Sequence, residues 1–256
     1  MTIFNKSTKV LKWCTLANLS MLAFCLIAML IDDRILLGES VWLKPTKFAV
    51  SIAIYCVTIA LLLQVYPYAN TTKKWLSRII GWALILEIPL VMIQAGRGVR
   101  SHFNIATPFD SIVFGWMGIL ILLNTLVLFF MIFIAFLKKL DTAILMQRAI
   151  QFGWLGMIVS IVAGQIMIGN LGHSVGVPDG GAGMPVTHWS TEGGDWRAVH
   201  FLGMHGIQIL PLLAYFLGQQ NWKNSQLIIW GVGIIYLAFI GWIFIRTQAG
   251  IPFLTI

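Results

Sequence analysis

Imidazole, guanidinium and glycine are gathered in a few short runs of this chain. The densest is Arg197-Ala198-Val199-His200-Phe201-Leu202-Gly203-Met204-His205-Gly206-Ile207-Gln208. Five residues of helix rise about 7.5 Å and turn roughly 140°, so His200 and His205 cannot share one ion. They can serve adjacent sites, or one can ligate while the other relays a proton. His205 and Gln208, three apart, share a helix face, and Gly203 and Gly206 would leave room beside His205 for a flat ligand. The second run is Gln94-Ala95-Gly96-Arg97-Gly98-Val99-Arg100-Ser101-His102-Phe103-Asn104. A b-type haem needs neutral imidazoles, close approach of backbone, and Arg or Lys for its propionates. His205, His200, His102, Gly203, Gly206, Gln208, Arg97, Arg100 and Arg197 supply those residue types. His205, His200 and His102 are equally the candidate ligands of a Zn, Cu or Fe ion. The motif signal for a metalloenzyme is weak, because neither HExxH nor His-x-His is present.

A third class of function rests on polar groups inside apolar runs. Glu87, Gln94 and Gln165 could line a path for a solute, and Glu87, Gln94 and Gly98 recur at helical spacing on one face. An ionisable group in mid-span is costly and faces the bundle interior or a wet cavity. Transporters are often built from inverted repeats, and no internal repeat is evident along the chain. The expected function is therefore a membrane-bound b-type haem protein in electron transfer, possessing a quinone or other redox partner. A metalloenzyme on the same histidines, and a transporter or small-ligand receptor, are the alternatives.

The elements that must hold these groups are long apolar helices. Of 256 residues 59% are hydrophobic and 10% charged, against roughly 25% charged in an average soluble domain. A span needs about 20 mostly apolar residues. Seven stretches qualify, at about 12–31, 48–66, 75–95, 111–136, 149–168, 199–217 and 227–245. Runs this uniformly apolar exclude the alternation of barrel strands. The fold class is all-α: one polytopic transmembrane domain over 1–256, embedded in lipid, with a homo-oligomer compatible with it. Gly156, Ser160 and Gly164 form a small-residue ladder in the fifth span, which predicts close helix packing.

With the N-terminus inside, ten Lys and Arg lie on the inner side and seven on the outer, in the direction of the positive-inside rule. Eight of the inner ten are Lys, five of the outer seven are Arg, and all five histidines fall on or toward the outer side. Arg is favoured where carboxylates or phosphates are held in fixed geometry, so Arg97, Arg100 and Arg197 are expected in directed ion pairs with ligand carboxylates or with Asp195, Glu192 and Asp179. The expectation is a multi-pass protein of a bacterial inner membrane, N-terminus inside and C-terminus outside, with its site at the periplasmic or exterior face. Lys44 and Lys47 read as snorkelling side chains at a helix start. The loop 169–197, rich in glycine and bearing Trp189, Trp196 and four acidic or basic residues, should be ordered and fold over the outer ends of the third and sixth spans. The net charge of +8 is a topology signal here; no basic stripe interleaved with exposed aromatics is present, so nucleic acid is not an expected partner. Cys14, Cys25 and Cys56 all sit in apolar runs, as small packing residues.

Taken together, WLKPTKF, QAGRGVRSHFN and GGDWRAVHFLGMHGIQILPL resemble a family of bacterial multi-spanning membrane proteins for which no activity is established. The resemblance covers most of the chain and implies a helical membrane fold, with no function carried over.

Overall fold

The computed structural model describes residues 3–220 and 222–254. Seven α-helices carry the fold: α1 (Lys9–Ile31), α2 (Leu43–Val65), α3 (Asn70–Gly96), α4 (Pro108–Leu137), α5 (Ile144–Gly169), α6 (Trp196–Gln219) and α7 (Ser225–Gln248). All seven are long and apolar enough to cross a membrane, and each covers the span expected at its place, α2 ending one residue short at Val65. Helices are the form such segments must take, because hydrocarbon offers no partner to an open backbone. Among the described residues four two-residue strands pair antiparallel, β1 (Ile35–Leu36) with β2 (Glu39–Ser40) and β3 (Ser174–Val175) with β4 (Gly194–Asp195).

The chain divides into two compact units, Met1–Met131 and Ile132–Ile256. In the first, α1, α2 and α3 pack on one another, and α4 joins through Tyr55, whose hydroxyl meets Asn124 Oδ1 at 2.8 Å, and Tyr66, which donates to the Met131 carbonyl at 3.0 Å. Pro45 falls in the first turn of α2, where a missing N–H leaves no bond unmade. In the second unit α5, α6 and α7 pack on one another, α5 against α6 most extensively. The ladder is the reason. A Cβ on Gly153 would lie 2.6 Å from Ile207 Cα, and one on Gly203 would lie 2.7 Å from the Gly156 carbonyl and 2.8 Å from Ser160 Cβ. Ser160 donates to the His200 carbonyl at 2.7 Å. Small residues let the two backbones touch, the main source of helix association where lipid removes the hydrophobic drive.

The two units share one design, a repeat not evident along the sequence. Each contains the order helix, two-stranded ribbon, helix, helix, to which the first unit adds most of α4. Trp42 before α2 and Trp196 at the start of α6 are 154 residues apart, and so are Gln94-Ala95-Gly96 near the end of α3 and Gln248-Ala249-Gly250 at the end of α7. The same shift carries α2 onto 197–219, the span of α6 to within a residue. It also carries the buried stripe Pro45, Ala49, Ile52, Ala53, Cys56, Ala60 and Leu63 onto Val199, Gly203, Gly206, Ile207, Leu210, Ala214 and Leu217, all buried. In the third helix the stripe Leu76, Ile80 and Glu87 recurs one residue short of the shift, at Ile229, Gly233 and Ile240. The loop between β3 and β4 is the chief insertion. Apart from Trp42 with Trp196 and the two Gln-Ala-Gly runs the matched residues differ in type, and the agreement in burial follows this one stripe: Ile59 and Leu62, also buried in α2, fall on half-buried Leu213 and exposed Phe216.

Candidate functional site

In the first unit the end of α3 meets the start of α4. Thr107-Pro108-Phe109-Asp110 begins α4 as a reciprocal cap: the Asp110 N–H donates to Thr107 Oγ1 at 3.1 Å, and the Thr107 hydroxyl donates to Asp110 Oδ2 at 2.6 Å. Asp110 is buried, and its Oδ1 also receives Gln94 Nε2 at 2.8 Å and Arg97 Nη1 at 2.5 Å. Arg97 bonds Gln94 Oε1 as well and lies over the Phe109 ring, 4.7 Å from its centroid. Beside this, Arg34 pairs with Asp32 at 2.7 Å and donates to the Gly96 carbonyl at 3.0 Å, while Trp42 Nε1 donates to Asp32 at 2.7 Å. The bonds from Arg34 and then Trp42 hold the Asp32 carboxyl well below the usual carboxylate range. Lys47 is not merely snorkelling, since it pairs with Glu39 at 2.8 Å. His102 sits among Phe48, Phe103 and Phe114, with centroids 5.2, 6.1 and 6.4 Å from its ring. Arg100 is half-buried and its carbonyl receives Asn104 Nδ2 at 3.1 Å. Glu87 is buried, 4% exposed, and its carboxyl makes no hydrogen bond or ion pair among the described residues.

In the second unit the long loop is ordered by its own ribbon. Outside β3 and β4, Gly183 bridges Ser190, Met184 N–H donates to the Trp189 carbonyl at 2.8 Å and Thr191 N–H to Ala182 at 3.1 Å. Asp195, 1% exposed, ties the loop to α6: it caps the helix through the Arg197 N–H at 2.9 Å, receives Arg197 Nη2 at 2.7 Å and accepts the Ser190 N–H at 2.9 Å. Arg197 also donates to the His188 carbonyl. The directed pairing expected for Arg197 is thus present, whereas Arg97 pairs with Asp110, a carboxylate outside the expected set whose capping pattern with Thr107 is legible in the sequence. The loop seats on the end of α7, with Gly194 against the Thr247 carbonyl, Trp196 against Phe244 and Trp189 against Phe253. His173 Nδ1 stands 3.3 Å from Asp179 and 3.7 Å from Asp195.

Asp179 carries a pH prediction. Burial pushes its carboxyl up, but the charge of His173 and the N–H groups of Ser174 and His173 outweigh that and leave it below the ordinary value. A carboxyl depressed in the native state contributes stability above its unfolded pKa, about 3.9, and loses it as pH falls through the native value. Proteolysis within 170–195 should accelerate below about pH 4. Asp179→Asn should cut readily at neutral pH and lose much of that acid response; an unchanged profile would remove Asp179 from the latch.

On α6 the two histidines present alike. His200 Nδ1 stands 2.8 Å from the Ser160 carbonyl, which can only accept, so in the neutral ring Nδ1 holds the proton and Nε2 the lone pair. His205 Nδ1 bonds Gln208 Oε1, and its Nε2 is buried with no partner; Phe201 covers the ring, centroids 4.1 Å apart. Gln208, on the same helix face, thus orients the ring through its amide oxygen. Gly203 and Gly206 do not open beside His205: Gly203 abuts α5, and a Cβ on Gly206 would lie 2.9 Å from Tyr236. Among the described residues no group of three or more His, Cys, Asp or Glu is placed to hold a metal ion. Gln165 is exposed on α5, while Gln94 and Glu87 are buried in the first unit.

Fold and site define a multi-pass α-helical membrane protein whose polar groups collect at helix ends and in the loop. Comparison with protein families, with curated proteins and with solved structures returns no match, so its function is argued from this geometry.

Proposed function

We propose that the protein is a proton-coupled transporter of a small polar solute, made of two three-helix modules that cross the membrane in the same direction. The repeat is the observation that carries this reading. With each helix crossing once, α1 and α5 are four crossings apart and run in parallel, and parallel repeats underlie several transporter architectures. That likeness is one of architecture; two side chains give it chemistry. Each unit holds an ionisable group in a membrane-crossing helix, Glu87 and His205, lacking a partner at the carboxyl or at Nε2, as groups that take up and release protons in pumps do. The missing inverted repeat weighed against transport in the sequence, and a parallel repeat answers it.

Haem b is the second reading, on the free Nε2 of His205 alone. The glycines counted on to cradle the macrocycle are filled, and Arg97 and Arg197 are committed to Asp110 and Asp195, so the surroundings do not fit it and we derive no step through a haem.

Purified protein in vesicles loaded with a pH-sensitive dye, challenged with a panel of sugars, amino acids and carboxylic acids, should show solute-evoked proton movement. Glu87→Gln and His205→Gln should each slow it by roughly tenfold or more, with insertion intact. No response to any solute, with a Soret band in the same preparation, would replace transport by the haem reading. The same proposal places the N-terminus inside and the C-terminus outside, with the arginine and histidine end facing the periplasm of a bacterial cell. A C-terminal reporter active only in the cytoplasm should stay silent; activity would reverse the orientation or change the number of crossings.

A further inference from the structure

The start of the chain carries a second site, independent of the transport reading. A single 3₁₀ turn, Lys6–Thr8, precedes α1 and is fixed in place. Asn5 caps it through the N–H groups of Ser7 at 2.8 Å and Thr8 at 3.2 Å, and the Ser77 hydroxyl of α3 donates to the Ser7 carbonyl at 2.5 Å. Val10 then fills the hollow at Gly81, where a Cβ would come within 2.6 Å of Val10 Cγ1. Two cavities flank the turn, of about 270 and 240 Å³. The first is lined by Phe4, Asn5, Lys6, Lys9, Lys12 and Trp13; the second by Lys6, Ser7, Lys9, Val10, Lys74 and Arg78.

Five cations thus face two small hollows with no carboxylate lining either. Lys6, Lys9, Lys12, Lys74 and Arg78 form no ion pair among the described residues, whereas Arg34, Lys47, Arg97 and Arg197 all do. Lys6, Lys9, Lys12 and Lys74 are exposed and Arg78 is half-buried, so water screens much of their repulsion, and a polyvalent anion drawn into the hollows would relieve the rest. Phosphate suits both the Arg fork and the lysine points. The setting selects its source. Trp13 and Trp75 are more than half exposed next to the cavities, at the level where tryptophan marks the headgroup boundary. Beyond them Trp75, Ile79, Trp82 and Leu86 expose one continuous apolar stripe along α3, a bed for an acyl chain.

We infer that this corner is a binding site for an anionic phospholipid, its phosphate held by Lys6, Lys9, Lys74 and Arg78 and its chains laid along α3. Basic pockets between membrane helices recognise such headgroups.

The full chain, delipidated in detergent, is titrated with phosphatidylglycerol, cardiolipin, phosphatidylcholine or inorganic phosphate, and bound lipid and thermal midpoint are read together. The anionic lipids should bind and raise the midpoint, and phosphatidylcholine and free phosphate should not. Lys74→Gln with Arg78→Gln should weaken anionic-lipid binding on the order of tenfold or more, at unchanged midpoint without lipid. Lys138→Gln with Lys139→Gln, which removes two exposed cations elsewhere, should leave binding intact. Equal loss in both double variants would mean diffuse attraction and overturn the site, as would anionic-lipid binding unaltered in the first. Stabilisation by free phosphate as strong as by lipid would make it a soluble-phosphate site instead. Should the first variant misfold, Lys6→Gln with Lys9→Gln, on the other wall of the second cavity, gives the same comparison.

Discussion

Gly203→Leu should leave little folded protein in the membrane. Its Cβ alone would stand 2.7 Å from the Gly156 carbonyl and 2.8 Å from Ser160 Cβ, and neither is the mobile end of a side chain. Overpacking usually costs about 1–3 kcal/mol because neighbours shift; against helix backbone the whole of α6 must move instead. That would break the Ser160 bond to the His200 carbonyl and pull the His200 ring away from Gly164, where a Cβ would stand 3.4 Å from it. Losses of that kind use up much of a stability of order 5–15 kcal/mol. Gly115→Leu and Gly241→Leu are the controls, since nothing lies within 4 Å of a Cβ at either, and both should give near wild-type yield. Size-exclusion of fluorescent fusions reads all three. A monodisperse, full-yield Gly203→Leu protein would mean that α5 and α6 do not cross this closely.

The membrane helices and this crossing were legible because both depend on local composition. Length and apolarity mark a span, and Gly156, Ser160 and Gly164 at four-residue spacing mark a face. What spacing does not encode is which partner a polar residue meets. Arg97 was expected on ligand or loop carboxylates, while the structure gives it Asp110, brought close by the turn between α3 and α4. Gly203 and Gly206 were legible as small but not as filled: a glycine signals close approach without naming what approaches, here helix backbone and Tyr236. The repeat escaped notice because it is written in burial, and Ala49 matched to Gly203 or Cys56 to Leu210 share only a position on a stripe. His205 was singled out by its depth, and its unpartnered Nε2 adds what sequence does not encode.

Asp195→Ala should open the loop between α5 and α6 and destabilise the second unit more than any other single change in the loop. The carboxylate is buried and does three things at once: it caps α6, pairs with Arg197, and receives the Ser190 N–H that closes the inner ribbon. Loss of a cap costs about 0.5–2 kcal/mol. Breaking a buried pair by removing one member costs roughly 3–5 kcal/mol, because the remaining charge is stranded. Arg197 is a quarter exposed, its side chain at 26%, so water relieves part of that and the lower end of the range applies. Asp195→Asn separates the contributions. The cap uses Oδ1 and Ser190 uses Oδ2, so the single oxygen of Asn keeps one of the two and sets its NH2 against the other N–H; with the charge also lost, its cost should lie only a little below that of the alanine change. Arg197→Lys should cost least, since it leaves both Asp195 acceptors in place and a charge opposite them, and loses the fork that reaches both carboxylate oxygens and the His188 carbonyl. Proteolysis should then cut within 170–195 fastest for Asp195→Ala, next for Asp195→Asn and slowest for Arg197→Lys. Equal rates in Asp195→Ala and wild type would show that the ribbon and the seat on α7 hold the loop without this carboxylate.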